Sequence, residues 1–189
     1  MYMGKKFLLI LISMLVFAGA SFAYGNPRWL KMPISVYISK GSGTVAQSAF
    51  QEWQSASGNT VRFLYKTSPN TENICNISIG ITNNSLGEKG YSVDRKWPVL
   101  GNSEYYRNNG FFYKAKITVA TVDEKGKKYG SDKVRALTLK AVGEALGIVP
   151  MENDNILMST SNNLKVRNIT KEDIAALNKL YRSENKYVK

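Results

Sequence analysis

The chain contains no histidine, and that absence removes more chemistry than any other feature of its composition. It excludes a metal site built on imidazoles, and it excludes a serine or cysteine nucleophile activated by an imidazole base. There is a single cysteine, Cys75, so no intramolecular disulfide can form and stability must come from packing. Cys75 itself reads as a small buried hydrophobe on a strand. Acidic residues are few, 14 against 26 Lys and Arg, giving a formal net charge of +12. The lysines are scattered rather than interleaved with aromatics, which points away from a specific nucleic-acid partner. Such a balance supports solubility and favours contact with anionic surfaces such as nucleic acid, an acidic envelope polymer or lipid headgroups. The chain has no internal repeat and no low-complexity tract.

What is present begins with a segment of recognisable order. Lys5 and Lys6 precede an apolar run from Phe7 to Phe17, and small residues follow up to Ala23. Charged, apolar and small in that sequence is the pattern of a secretory signal peptide, so cleavage after Ala23 and a secreted or periplasmic destination are expected. The apolar run is short for an uncleaved membrane anchor. Residues 24–189 then form one domain, with the charge falling to +10 once Lys5 and Lys6 are removed.

Along that domain, Ile34 to Ser39 alternates apolar and polar residues and predicts a half-buried strand. Thr44 with Gln47 predicts the capping box of a helix carrying Val45, Ala49, Trp53 and Ala56 on its apolar stripe, ending at Ser57-Gly58-Asn59. Strands follow at Val61–Tyr65 and Asn76–Ile81. The segment 83–110 reads as a long irregular loop, whose Tyr91, Trp97, Tyr105 and Tyr106 either pack it onto the sheet or contact a ligand. Lys116–Val122 is the next strand. A helix from Ser131 or Asp132 to Leu146 is apolar around more than half its circumference and should be deeply buried. Thr170 with Asp173 marks the start of a last helix bearing Ile174, Leu177, Leu180 and Tyr181. Strands mixed with helices in this order imply an α+β or α/β layer.

The stretch from Leu139 to Met158, LKAVGEALGIVPMENDNILM, organises the rest. A helix stops at Gly147, a short loop follows, and Ile156-Leu157-Met158 makes a hydrophobic turn. Its spacing resembles the H-E-x-x-H-x-x-G-x-x-H and Met-turn pattern of metzincin metallopeptidases. Three further signatures, WLKMPISVYI, FQEWQSASGNTVRFLY and ITKEDIAALNKLY, extend the likeness to matrixins, a metzincin subfamily, from Trp29 to about Arg182. The resemblance implies a metzincin/zincin-like α+β fold, with one twisted, mostly parallel sheet of four to five strands packed with three helices.

The resemblance also assigns positions. Lys140, Glu144 and Pro150 stand where the family has its three histidine ligands, and Ala141 stands where it has the catalytic glutamate. Gly147 and the Met-turn methionine, Met158, are kept. A lysine ammonium repels a dication, a proline has no side-chain donor atom, an alanine cannot take a proton, and one carboxylate is too few ligands. No catalytic residue, no metal ligand and no cofactor is therefore expected, zinc included.

Lys140 and Glu144, four apart on one helix, can form an ion pair at the vacated centre, or a weak, partly exposed i,i+4 pair. Glu144 could alternatively approach Glu152 or Asp154, although Asp154 more naturally caps its own turn through backbone bonds. In metzincins a peptide lies along the edge strand beside the central helix. The sequence puts that edge at Lys116, Thr118 and Ala120, where backbone groups can receive a strand without any metal. The expectation is an exported, inactive binder of peptide or protein. The alternatives are a metalloendopeptidase with a non-standard metal site and a basic binder of an anionic envelope polymer.

Overall fold

Alternation builds the sheet. In β2 (Ile34–Ile38) the side chains of Ile34, Val36 and Ile38 fall on one face, and all three are buried. The computed structural model describes residues 27–96 and 111–182. The segment 1–23 expected to be a signal peptide, Trp97, Tyr105, Tyr106 and the tail 183–189 lie outside the described residues. The elements are β1 (Arg28–Trp29), β2, α1 (Gly43–Ala56), β3 (Phe63–Lys66), β4 (Ile77–Thr82), β5 (Tyr91–Lys96), β6 (Phe111–Phe112), β7 (Lys114–Ala120), α2 (Ser131–Ala145) and α3 (Lys171–Arg182).

The five-stranded sheet has the order β3-β2-β4-β7-β5, and β1 pairs separately with β6. Pairing is parallel from β3 through β7, and only β5 runs antiparallel. Among the described residues the architecture is α+β, three α-helices with a mostly parallel sheet, as the element pattern implied.

Two expectations about the sheet are corrected. Within the supposed loop 83–110, Tyr91–Lys96 is a strand, paired with β7 from Tyr91↔Val119 to Lys96↔Lys114. Its inward positions are Tyr91, Val93 and Arg95, and the arginine hides the alternation. In consequence Lys116, Thr118 and Ala120 are not on an edge, because β7 is bonded to β4 on one side and to β5 on the other. The edge beside it is β5.

One face of the sheet packs on α1 and α2. The buried residues of α1 are Ala46, Ala49, Phe50 and Trp53, a stripe rotated from the expected one, so that Val45 and Ala56 are only half-buried. The helix also starts earlier, after Ser42 rather than at a Thr44 cap. The Ser42 hydroxyl serves the sheet: it shares a 2.9 Å bond with the Ser39 hydroxyl and accepts from the Ile81 N–H at 3.0 Å. Across the helix interface, the Trp53 indole N–H donates to the Leu139 carbonyl at 2.9 Å, which satisfies the one polar atom of a fully buried side chain. From Ala136 to Ala145 every residue of α2 is buried, including Lys140 and Glu144. The breadth of its apolar surface has the predicted result: from Ala136 onward the helix is enclosed on all sides.

Candidate functional site

The C-terminal end of α2 is where the chain converges. Gly147 holds φ at 101°, a left-handed conformation in which a side chain would also strike the Pro27 carbonyl oxygen. That bend lets the Ile148 N–H reach the Gly143 carbonyl at 3.1 Å and the Gly147 N–H reach Glu144 at 2.9 Å, the paired bonds of a Schellman ending. Side chains from three other elements add to these bonds, one on the Glu144 carbonyl again and two on the carbonyls that follow it. Arg95 of β5 donates to Glu144 O at 3.1 Å, the Trp29 indole of β1 to Ala145 O at 2.8 Å, and the Tyr181 hydroxyl of α3 to Leu146 O at 2.7 Å. An enclosed helix end has to be satisfied in this way. Sequence reading did not anticipate these three contacts.

The turn at Ile156-Leu157-Met158 is buried beneath the helix. A Cβ built on Gly143 would lie 2.5 Å from Met158 Sδ and 2.9 Å from Trp53 Cζ2, so the helix approaches the methionine only because residue 143 has no side chain. The Asp173 carboxylate fixes the turn, accepting from the Leu157 N–H at 3.1 Å and the Met158 N–H at 3.0 Å. The same carboxylate accepts from the Thr170 N–H and hydroxyl, both at 2.8 Å, while the Thr170 hydroxyl accepts from the Asp173 N–H at 3.3 Å. The predicted start of α3 is thus a capping interaction that also anchors the turn.

Lys140 and Glu144 do not pair with each other. Lys140 is 3% exposed, and its ammonium donates to the Ser159 carbonyl at 2.8 Å and the Ser161 carbonyl at 3.0 Å, just past Met158. Glu144 turns the other way, toward β5. Its Oε1 accepts from the Tyr91 hydroxyl at 2.8 Å, and Lys89 Nζ lies 2.9 Å from Oε1 and 3.0 Å from Oε2. The Lys89 ammonium also stands 4.5 Å from the Tyr91 ring centroid. A buried ammonium needs acceptors and a buried carboxylate needs donors, and each finds better ones than a partner in the less favourable Lys-first order.

The electrostatics follow from this burial. Desolvation lowers the Lys140 pKa below the ordinary lysine value and the nearby Lys89 charge adds to that, while the Glu144 and Asp173 charges oppose it. Tyr91 is pushed well above the usual phenol range by burial first, then by the Glu144 charge and the hydrogen bond to it. Burial lowers the Arg95 pKa, and Glu144 partly offsets the effect.

The other predicted positions are accounted for in the same terms. Ala141 is fully buried and Pro150 half-buried. Asp154 does not cap its turn through backbone bonds. It accepts from the Ser159 hydroxyl at 3.3 Å and from Lys165 Nζ at 2.9 Å, so it is unavailable as a carboxylate partner for Glu144. These residues do not fit a zinc ion: the Lys140 donors are committed to carbonyls, Glu144 is covered by Lys89 and Tyr91, and Ala141 and Pro150 offer no donor atom. Among the described residues no group of three or more His, Cys, Asp or Glu side chains could hold a metal.

The arrangement does offer an open strand. The Ala120 N–H donates to the Gly90 carbonyl at 2.9 Å, which makes that pair a hydrogen-bonded one in the antiparallel ladder. By alternation Tyr91, Val93 and Arg95 turn their backbone N–H and C=O groups away from β7. Among the described residues β5 has no strand on that side. Neither a scan against protein-family models nor a search of curated proteins finds a match to this chain.

Proposed function

We propose that this is an exported, matrixin-like protein of the metzincin type that has lost catalysis and binds an extended peptide or protein segment along β5. The observation that carries the reading is the division of labour at the end of α2. The positions that resemble metal ligands have been taken over by contacts within the chain, Lys140 to the turn carbonyls and Glu144 to Lys89 and Tyr91. The scaffold positions of the resemblance, the Gly147 bend and Met158 under the helix, are retained. Further support comes from β5, an edge strand adjoining α2, with backbone groups directed outward. Strand addition uses those groups and needs no metal, so binding can persist without hydrolysis.

The test is a screen of the protein without residues 1–23 against an immobilised peptide library, run alongside metal analysis and a peptidase assay. Saturable binding that a chelator leaves unchanged, with no cleavage, is expected. Stoichiometric zinc with chelator-sensitive cleavage would overturn the loss of catalysis, and absence of saturable binding across the library would overturn the binding role.

A further inference from the structure

On the sheet face away from the helices, a cavity of about 180 Å³ is lined by Glu72, Asn73, Ser78, Asp94, Lys96, Lys114 and Lys116. Register explains how these residues meet. Ser78 of β4, Lys116 of β7 and Asp94 of β5 are direct cross-strand neighbours in one row, and Lys114 and Lys96 face each other in the next row on the same face. The wall is held by Lys114, whose ammonium donates to the carbonyls of Glu72 at 2.9 Å, Asn73 at 3.0 Å and Cys75 at 2.9 Å. All three of its protons are used, so Lys114 contributes charge and rigidity rather than a free donor.

The floor is Ser78, only 4% exposed, whose hydroxyl has no hydrogen-bond partner among the described residues. Its oxygen is open to the cavity rather than sealed in the protein, so it is available to a bound molecule. At the rim, Lys96, Lys116 and Asp94 are exposed and form no ion pair among the described residues.

We infer that this cavity binds a sugar unit bearing a single anionic group. Ammonium groups only donate and call for an anion, carboxylates only accept and call for hydroxyl donors, and the Ser78 hydroxyl can do either. A bare anion would leave the exposed Asp94 carboxylate beside it without a donor. A zwitterion would satisfy both signs, but three lysines against two acidic residues in the lining leave a surplus positive charge, which favours a ligand of net negative charge. The site lies on β4, β5 and β7, and its occupancy does not depend on the peptide-binding reading.

Titration calorimetry with glucuronate and glucose 6-phosphate tests it directly and separates a carboxylate from a phosphate as the anionic group. Saturation by at least one of them below about 10 mM is expected, weakened tenfold or more by Lys116→Met and by Ser78→Val, with glucose, acetate and glycine inert. Lys96→Met supplies a second surface variant should Ser78→Val fail to fold. Failure of both anionic sugars to saturate overturns the inference. So does acetate, inorganic phosphate or glycine binding as tightly as the sugars, and so does sugar affinity that survives the lysine substitutions.

Discussion

Lys89 Nζ lies 2.9 Å from Glu144 Oε1, although 55 residues separate them. The two sides of this contact are unequal: the Glu144 side chain is 9% exposed and that of Lys89 45%. Removing the lysine leaves Glu144 still hydrogen-bonded to Tyr91, and the solvent-screened pair contributes little, so Lys89→Met should cost about 0.5–1 kcal/mol. Glu144→Ala should cost more, about 1–3 kcal/mol, because the buried Tyr91 hydroxyl loses its acceptor. Urea unfolding of both variants checks the order, and a larger loss for Lys89→Met would show that the carboxylate is held mainly by the lysine.

The depressed pKa of Lys140 makes its contribution depend on pH in a definite direction. Between the lowered folded value and the unfolded value near 10.5, the unfolded chain binds more protons than the folded one. Stability from this group therefore rises as pH climbs through that window, and at neutral pH the folded state bears the cost of burying the ammonium. Tyr65, Tyr91 and Tyr181 act oppositely, since their raised values make stability fall above pH 10. Comparing the native protein with Lys140→Met cancels the tyrosines. The native protein should gain stability relative to the variant as pH rises from 7 toward about 10; a flat difference would mean that the ammonium is not destabilised in the fold.

Gly143 and Met158 should behave as one unit. Gly143→Ala would ordinarily favour a helix, yet its Cβ meets Met158 Sδ at 2.5 Å, so a net loss of about 1–3 kcal/mol is expected. Met158→Ala opens a cavity in the core and should cost about 2–5 kcal/mol. The double variant should lose clearly less than the two together, because the new methyl occupies space that the methionine has vacated. Additive losses would show that the two residues do not share that space.

How much of this was legible in sequence depends on distance along the chain. The burial of α2, the Gly147 bend, the position of Met158 and the Thr170–Asp173 start of α3 rest on local patterns, and the structure has them. The partners of the charged residues are another matter. Spacing makes Lys140 and Glu144 neighbours, but it carries no information on Lys89, Tyr91 or the carbonyls of Ser159 and Ser161, which are brought in by packing. β5 escaped notice because Arg95 occupies an inward position, where its length lets it reach Glu144 O and lie 5.3 Å from the Phe112 ring. Missing that strand moved the edge to β7. The Ser42 hydroxyl shows the same limit at smaller scale, since its partner Ile81 belongs to β4 and not to the helix it precedes.

The alternation along β5 separates peptide binding from folding in one experiment. Val93 is opposite Ile117 in a pair whose backbone groups face away from β7, whereas Ser92 is opposite Thr118 in a hydrogen-bonded pair. Proline removes one N–H, and on an edge strand it is tolerated where that N–H faces outward. Val93→Pro should therefore unfold within about 1 kcal/mol of the native protein, while Ser92→Pro, which breaks a ladder bond, should cost about 3 kcal/mol or more. If a ligand adds as a strand to β5, Val93→Pro should weaken it at least tenfold, because the added strand loses an acceptor–donor contact and meets the proline ring. Binding that is unchanged in a folded Val93→Pro protein would place the ligand elsewhere and sink the strand-addition mode.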